Sequence, residues 1–140
     1  MKEWDFSELE DYQGGWSFRN VRVIQSCMYE SDGVPYGGHA RITVLAQPGG
    51  SRFQQSGLRS GVRIDKVVFE LVDIVMYQVE FSGAQYVEPM GFAIDVIEPN
   101  EGHTAERVKV HDYESNCLYV TANSAVIRGI ELGWQHHVGS

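Results

Sequence analysis

The stretch at residues 66–81 constrains the fold of this chain more than any other part of the sequence. Its odd-numbered residues are apolar apart from Asp73, whereas its even-numbered residues mix apolar and charged side chains. A repeat of two residues is typical of an extended chain that packs one face against a core, and its Val, Ile, Phe and Tyr content favours a strand. The stretch is longer than a usual strand of about five or six residues, and Asp73 interrupts its apolar face. We therefore predict two strands, or one strongly bent strand, with the break at residues 72–74.

Shorter segments with the same alternation, separated by Gly, Pro and Asn turns, fill most of the remaining chain. They predict strands at residues 19–29, 39–47, 90–98, 107–113, 116–123 and 125–134. The first two form an antiparallel hairpin around a turn-rich loop. In the last segment Arg128 interrupts an apolar face formed by Val126, Ile130, Leu132 and Trp134. About seven to eight short strands predict a mainly β fold, an antiparallel sandwich or a partly open barrel.

The whole chain of 140 residues is expected to form a single β-rich domain, because this length is enough to bury a core of its own. The hydrophobic content of 43% and the aromatic content of 11% argue against disorder. Ser7 and Glu10 have the spacing of a capping box, which predicts a short helix in a lead-in at residues 1–13. We expect residues 135–140 to form a frayed tail.

The start of the chain predicts a cytoplasmic protein. Residues 1–15 contain one lysine and five acids, the opposite of the basic start of a secretion signal. No apolar run approaches the roughly 18 residues of a membrane span. In a reducing compartment Cys27 and Cys117 are expected to be free thiols, and a disulfide between them is the less favoured alternative.

The net charge of −8 is concentrated in residues 64–114, which hold eleven acids against three basic residues. Such a field repels nucleic acid and attracts a basic protein, although it also fits simple solubility. The glycine-rich segment 47–61 carries Arg52 and Arg59, with Arg63 just beyond it. Exposed N–H groups and guanidinium groups could hold a phosphate there. The favoured interpretation is a surface loop, because the segment lacks a P-loop motif.

Sequence motifs for catalysis and metal binding are missing. Residues 57–61 differ by one position from a nucleophile elbow, and the five histidines show no H-x-H or H-x-x-x-H spacing. His111 lies six residues before Cys117, which does not establish a dyad. Burial would raise the pKa of Asp73, but the favoured interpretation is that Asp73 marks the bend. We expect no enzyme activity, no metal and no cofactor.

The order of segments along residues 14–134 carries a family resemblance. An aromatic-rich start, GGWSFRNVRVIQSCMYE, is followed by the stretch at 66–81 and by the segments GFAIDVIE and AVIRGIELGW. This order resembles the small immunity proteins of bacterial toxin–immunity systems, including those of contact-dependent growth inhibition. Related proteins tend to place His-Asp after an aromatic residue, where this chain has Arg19 and Asn20. The resemblance implies a cytosolic inhibitor that binds one toxin domain, often a nuclease, and has no catalysis of its own.

Such an inhibitor would capture a basic toxin electrostatically and then cover its active site or its substrate-binding face. We selected candidate contacts by predicted exposure and charge in the acidic half, with two tyrosines as anchors. They are Tyr86, Glu88, Glu98, Glu101, Glu106, Asp112, Tyr113 and Glu114. Nucleic acid and membranes are not expected partners.

Two other classes of function fit the same sequence. The first is a small-ligand-binding β-sandwich or barrel whose cavity is lined by Trp4, Trp16, Trp134 and the tyrosines. A metabolite would then raise the melting temperature. The second, less favoured, is an enzyme of an unrecognised class, in which a single substitution would abolish turnover.

Overall fold

The computed structural model describes residues 4–5, 20–35, 37–47, 63–80, 92–97, 106–112 and 117–134. The strands within these ranges are β1 (Trp4–Asp5), β2 (Val21–Glu30), β3 (His39–Ala46), β4 (Asp65–Val79), β5 (Phe92–Val96), β6 (Val108–Asp112) and β7 (Leu118–Glu131). The described residues contain no helix with the length and hydropathy of a membrane span. The predicted N-terminal helix and the predicted tail at 135–140 both lie outside the described residues.

Six of these strands form one antiparallel sheet in the order β2-β3-β4-β7-β6-β5. The short strand β1 adds a parallel bridge to β7, where Trp4 pairs with Ala125. Strands β2 and β5 are the ends of this order and do not pair with each other in the described part of the chain, so the sheet is not closed. The prediction of a mainly β, antiparallel fold is confirmed. The described strands form a single continuous sheet.

Asp73 lies at the bend that its position in the sequence predicts. Its φ angle of 61° is in the left-handed region, where a residue with a Cβ is uncommon and Asp is one of the better-tolerated types. Its N–H donates to the carbonyl of Gly38 at 2.9 Å, which fixes the turned backbone against the loop that follows β2. Residues 66–79 therefore belong to one bent strand rather than to two strands.

At the bend, the side of the strand that faces the core changes, both in β4 and in the paired part of β7. Leu71 pairs with Ala125 and Ile74 pairs with Ala122, and all four side chains are buried. Residues three apart in a regular strand face opposite sides, so both strands must turn over between these pairs. Strands β4 and β7 therefore each contribute to both halves of the sheet. In one half β3 pairs with the part of β4 before the bend, and in the other β6 pairs with the first part of β7.

The two halves of the sheet face each other across one apolar core. Phe69 on β4 and Phe92 on β5 have ring centroids 6.1 Å apart, although three inter-strand spacings separate their strands. In a flat sheet that separation would be about 14 Å, so the sheet is strongly curled. Tyr77 reaches across in the same way, with its ring centroid 5.3 Å from that of Tyr29 on β2. The buried apolar residues of both halves form a single cluster.

Strand β7 differs in two ways from its predicted form. The segments 116–123 and 125–134, predicted as two strands, form one strand because the pairing with β4 continues across Ser124. A bulge then follows: Ile127 pairs with Phe69 and Gly129 pairs with Val68, so that Arg128 is the extra residue. The bulge shifts the alternation. Ile127 before the bulge is buried and Ile130 after it packs against the core, so Val126 and Ile130, predicted on one apolar face, lie on opposite faces of the strand.

Candidate partner-binding surface

Most of the candidate contacts predicted from the sequence lie outside the residues that the structure describes. The residues that lie outside the described ranges are Tyr86, Glu88, Glu98, Glu101, Tyr113 and Glu114. Glu106 is described, and its side chain is partly exposed. The role of these residues in partner binding therefore stays a prediction.

Asp112 was selected as an exposed acid, and this expectation is wrong because its side chain is buried. It follows Val108 and Val110 on the inward face of β6, and its carboxylate accepts hydrogen bonds from the N–H of Leu118 and the thiol of Cys117, both at 3.1 Å. The carboxylate thus stabilises the connection from β6 to β7. The spacing of two residues from Val110 is the sequence signal that places it on the inward face.

The cysteines are free, as the sequence predicts. The hydroxyl of Tyr77 donates to Sγ of Cys27 at 3.2 Å. Burial raises the pKa of the Cys27 thiol despite this hydrogen bond, and burial, together with Cys27, raises the pKa of Tyr77. A thiol whose pKa is raised is a weak nucleophile. His111 contacts Asp95, with Nε2 and Oδ2 2.6 Å apart, whereas the described partner of the Cys117 thiol is Asp112.

Asp65 anchors the end of β7 to the start of β4. It is fully buried, two guanidinium nitrogens of Arg63 lie 3.1 Å from its carboxylate, and the N–H of Gly133 donates to it at 2.9 Å. Burial raises the pKa of Asp65. Arg63 therefore has a structural carboxylate partner, and Arg52 and Arg59 lie outside the described residues. The ring of Trp134 contacts Lys66, whose Nζ lies 5.8 Å from the ring centroid.

Exposed apolar side chains and acids occur together at the end of the β2–β3 hairpin. Met28 is 66% exposed and Val34 is 59% exposed, and Tyr29 also reaches the surface. Exposed acids lie among them, including Asp73, whose backbone is bonded to Gly38. We call this the hairpin-tip surface, and its members are Met28, Tyr29, Glu30, Asp32, Val34 and Asp73.

The loop that carries Asp32 and Val34 of this surface is held by hydrogen bonds within it. Ser31 Oγ accepts from the N–H of Gly33 at 3.0 Å, and Asp32 Oδ1 accepts from the N–H of Val34 at 3.1 Å. Gly38 has a φ of 82°, and a Cβ there would lie 2.6 Å from the carbonyl oxygen of Glu30. Glycine is therefore required at this position. A loop fixed in this way loses little conformational entropy when a partner binds.

The chemistry of the hairpin-tip surface suits a basic protein surface. Exposed Met and Tyr side chains provide apolar contact area, and the acids around them complement lysine and arginine. Glu30 lies 3.8 Å from His39, and neither Asp32 nor Asp73 makes an ion pair with a described cation. Their negative charge is thus available to a partner.

Comparisons with protein-family models, with curated protein sequences and with solved structures found no match. The evidence for function is therefore the chain's own residues.

The sequence does not predict the hairpin-tip surface, although it predicts both the turn after β2 and the break in β4 that lie next to each other there. The turn residues 31–38 and the break at Asp73 are each visible as local signals. Their proximity is set by the pairing of His39 with Val72, which no local pattern specifies.

Proposed function

We propose that this chain is an immunity-type inhibitor, a cytoplasmic protein that binds a basic toxin domain and covers its active site or its substrate-binding face. The observation that carries the proposal is the hairpin-tip surface, where Met28 and Tyr29 at the end of β2 and Val34 in the hydrogen-bonded loop are exposed beside acids. The net charge of −8 supports it, because a negative field accelerates the capture of a basic protein. The resemblance to immunity proteins points to the same class of partner.

In this mechanism the long-range field brings the partner to the surface, and short-range contacts then determine how long it stays. Met28 acts as the apolar anchor on the outer face of β2, and Glu30 and Asp32 pair with basic side chains at the rim of the contact. A toxin that acts on nucleic acid needs such basic side chains to bind phosphates. Occupying them with carboxylates excludes the substrate without any bond-making step.

The test is the binding of the C-terminal domain of the protein encoded beside this chain, measured by calorimetry and by protection of cells from that domain. The double variant Met28→Ala/Glu30→Lys is expected to weaken binding by at least about tenfold, or about 1.4 kcal/mol, and to abolish protection. Binding by the unmodified protein is expected to weaken as salt is added.

The matched control is Glu131→Lys/Leu132→Ala, which also changes an exposed acid beside an exposed apolar residue. It lies at the far end of β7 and is expected to leave binding unchanged. Equal losses in both double variants, at equal melting temperatures, would remove the hairpin-tip surface from the proposal. Turnover of a substrate by the purified chain alone would reject the inhibitor function itself.

A further inference from the structure

Three charged side chains meet on the outer face of three neighbouring strands. Glu70 of β4 is flanked by Arg41 of β3 and Arg128 of β7. Nη2 of Arg41 donates to Glu70 Oε2 at 3.3 Å. Arg128 donates twice, from Nε to Oε2 at 2.9 Å and from Nη2 to Oε1 at 3.4 Å. One carboxylate therefore fixes the positions of two guanidinium groups.

The arginine side chains lie above the acid that holds them. The side chain of Glu70 is 12% exposed, whereas those of Arg41 and Arg128 are 55% and 54% exposed. Two positive charges and one negative charge leave the cluster with a net positive charge. The hydrogen bond from Arg128, aided by Arg41 and opposed by burial, lowers the pKa of Glu70, so the carboxylate stays ionised at neutral pH.

The bulge in β7 is the backbone feature that creates this arrangement. Arg128 is the extra residue of the bulge, and bulges commonly redirect a side chain next to a functional site. Arg41 reaches Glu70 without any irregularity, because the two are directly paired across β3 and β4. The two arginines thus approach one carboxylate from opposite sides.

We propose that Arg41 and Arg128 together bind one oxyanion, a phosphate or a carboxylate group, through the N–H groups that face solvent. A guanidinium group is a planar fork of donors that matches such oxygens, and the contacts to Glu70 pre-organise both forks and so reduce the entropy lost on binding. The net positive charge favours an anion over a cation. Arg41 pairs directly with Met28 across β2 and β3, so this site borders the hairpin-tip surface, but it differs from the proposed toxin contact because it takes a group of the opposite charge.

The experiment is an NMR titration of the full chain with inorganic phosphate, following the Nε–H signals of the arginines. The Arg41 and Arg128 signals are expected to shift together and to saturate at millimolar phosphate. Chloride at the same ionic strength is expected to produce no such saturation. Acetate in a parallel titration distinguishes a site for carboxylate groups from one restricted to phosphate.

The variant Arg128→Gln is expected to weaken phosphate binding at least about tenfold, and Lys109→Gln, which removes a cation from another strand, is expected to leave it unchanged. Arg128→Lys keeps the positive charge but loses the planar set of guanidinium donors, and it is the variant to test if Arg128→Gln does not fold. Shifts that never saturate, shifts spread over all arginines, or the absence of any shift in the unmodified protein would each overturn the proposal.

Discussion

The left-handed backbone at Asp73 makes a quantitative prediction about the bend in β4. Asp73→Gly is expected to leave the free energy of unfolding unchanged or slightly raised, whereas Asp73→Val is expected to lower it. Glycine adopts a φ of 61° without steric cost, although it adds entropy to the unfolded chain. A β-branched side chain in this region clashes with the backbone.

The magnitude follows from these terms. Holding a residue with a Cβ in the left-handed region costs about 1–2 kcal/mol, and glycine recovers this while losing about 0.5–1 kcal/mol to the greater freedom of the unfolded chain. For a β-branched side chain the cost is at the upper end of about 1–3 kcal/mol, so after the entropy loss of glycine the valine variant is expected to be about 2 kcal/mol less stable than the glycine variant. With a urea m-value of about 2 kcal/mol per molar, their unfolding midpoints should differ by about 1 M.

The assay is urea unfolding at 25 °C, followed by tryptophan fluorescence and by circular dichroism. Gln78 is the matched control, because it is an exposed residue of the same strand without a positive φ. At Gln78 the order should reverse: valine should be the more stable variant, since β-branched residues favour strands and glycine weakens them. If valine also exceeded glycine in stability at position 73, the role assigned to the left-handed backbone would be refuted.

Three further predictions address the core, the charged cluster and the half-buried thiol of Cys27. Phe69→Leu and Phe92→Leu should each lower the free energy of unfolding by about 1–2 kcal/mol, with a coupling of at least about 0.5 kcal/mol in the double variant because the rings are in contact. Glu70→Gln should lower stability at neutral pH by about 1 kcal/mol. This difference should begin to decrease as the pH falls below the ordinary carboxyl pKa of 4.5 and should vanish only below the lowered pKa of Glu70 in the folded state, because a lowered folded-state pKa stabilises only the ionised form. In a Cys117→Ser background, Cys27 should react with iodoacetamide more slowly than a free thiol, and its rate should still be rising at pH 9 because burial raises the pKa of this thiol above its ordinary value.

Each of these has a contrary outcome. Strictly additive Phe69 and Phe92 variants would indicate that the two halves of the sheet do not face each other. A Glu70→Gln deficit that does not decrease at all between pH 7 and pH 3 would mean that the effect is packing rather than charge. Reaction of Cys27 at neutral pH at the rate of an exposed cysteine would contradict its burial beside Tyr77.

Local patterns in the sequence were sufficient to identify the strands and the bend. Alternation along 66–81 places Val67, Phe69 and Leu71 on one face, and these residues are buried. Because side-chain direction in a strand is set by the backbone of neighbouring residues, this information is present in any short segment. The same holds for Asp73, whose polar side chain in an apolar face indicates the break.

Two predictions were wrong where charge or segment boundaries were weighed above the pairing of strands. Asp112 is predicted as a surface acid from its charge, although its alternation with Val110 places it on the inward face, where it accepts the N–H of Leu118. The segments 116–123 and 125–134 are predicted as two strands, whereas pairing with β4 continues through Ser124 and makes them one strand. Neither result follows from composition, since each depends on hydrogen bonds to residues elsewhere in the chain.

By itself the sequence determined that the chain is extended, where it bends and which residues alternate towards a core. Only the tertiary structure decided that β7 lies between β4 and β6, that Phe69 meets Phe92, and which side chains surround the hairpin tip. The physical reason is that a period of two specifies a face but not a neighbour. Neighbours are chosen by pairing and packing over the whole chain, and the candidate binding surfaces are made of neighbours.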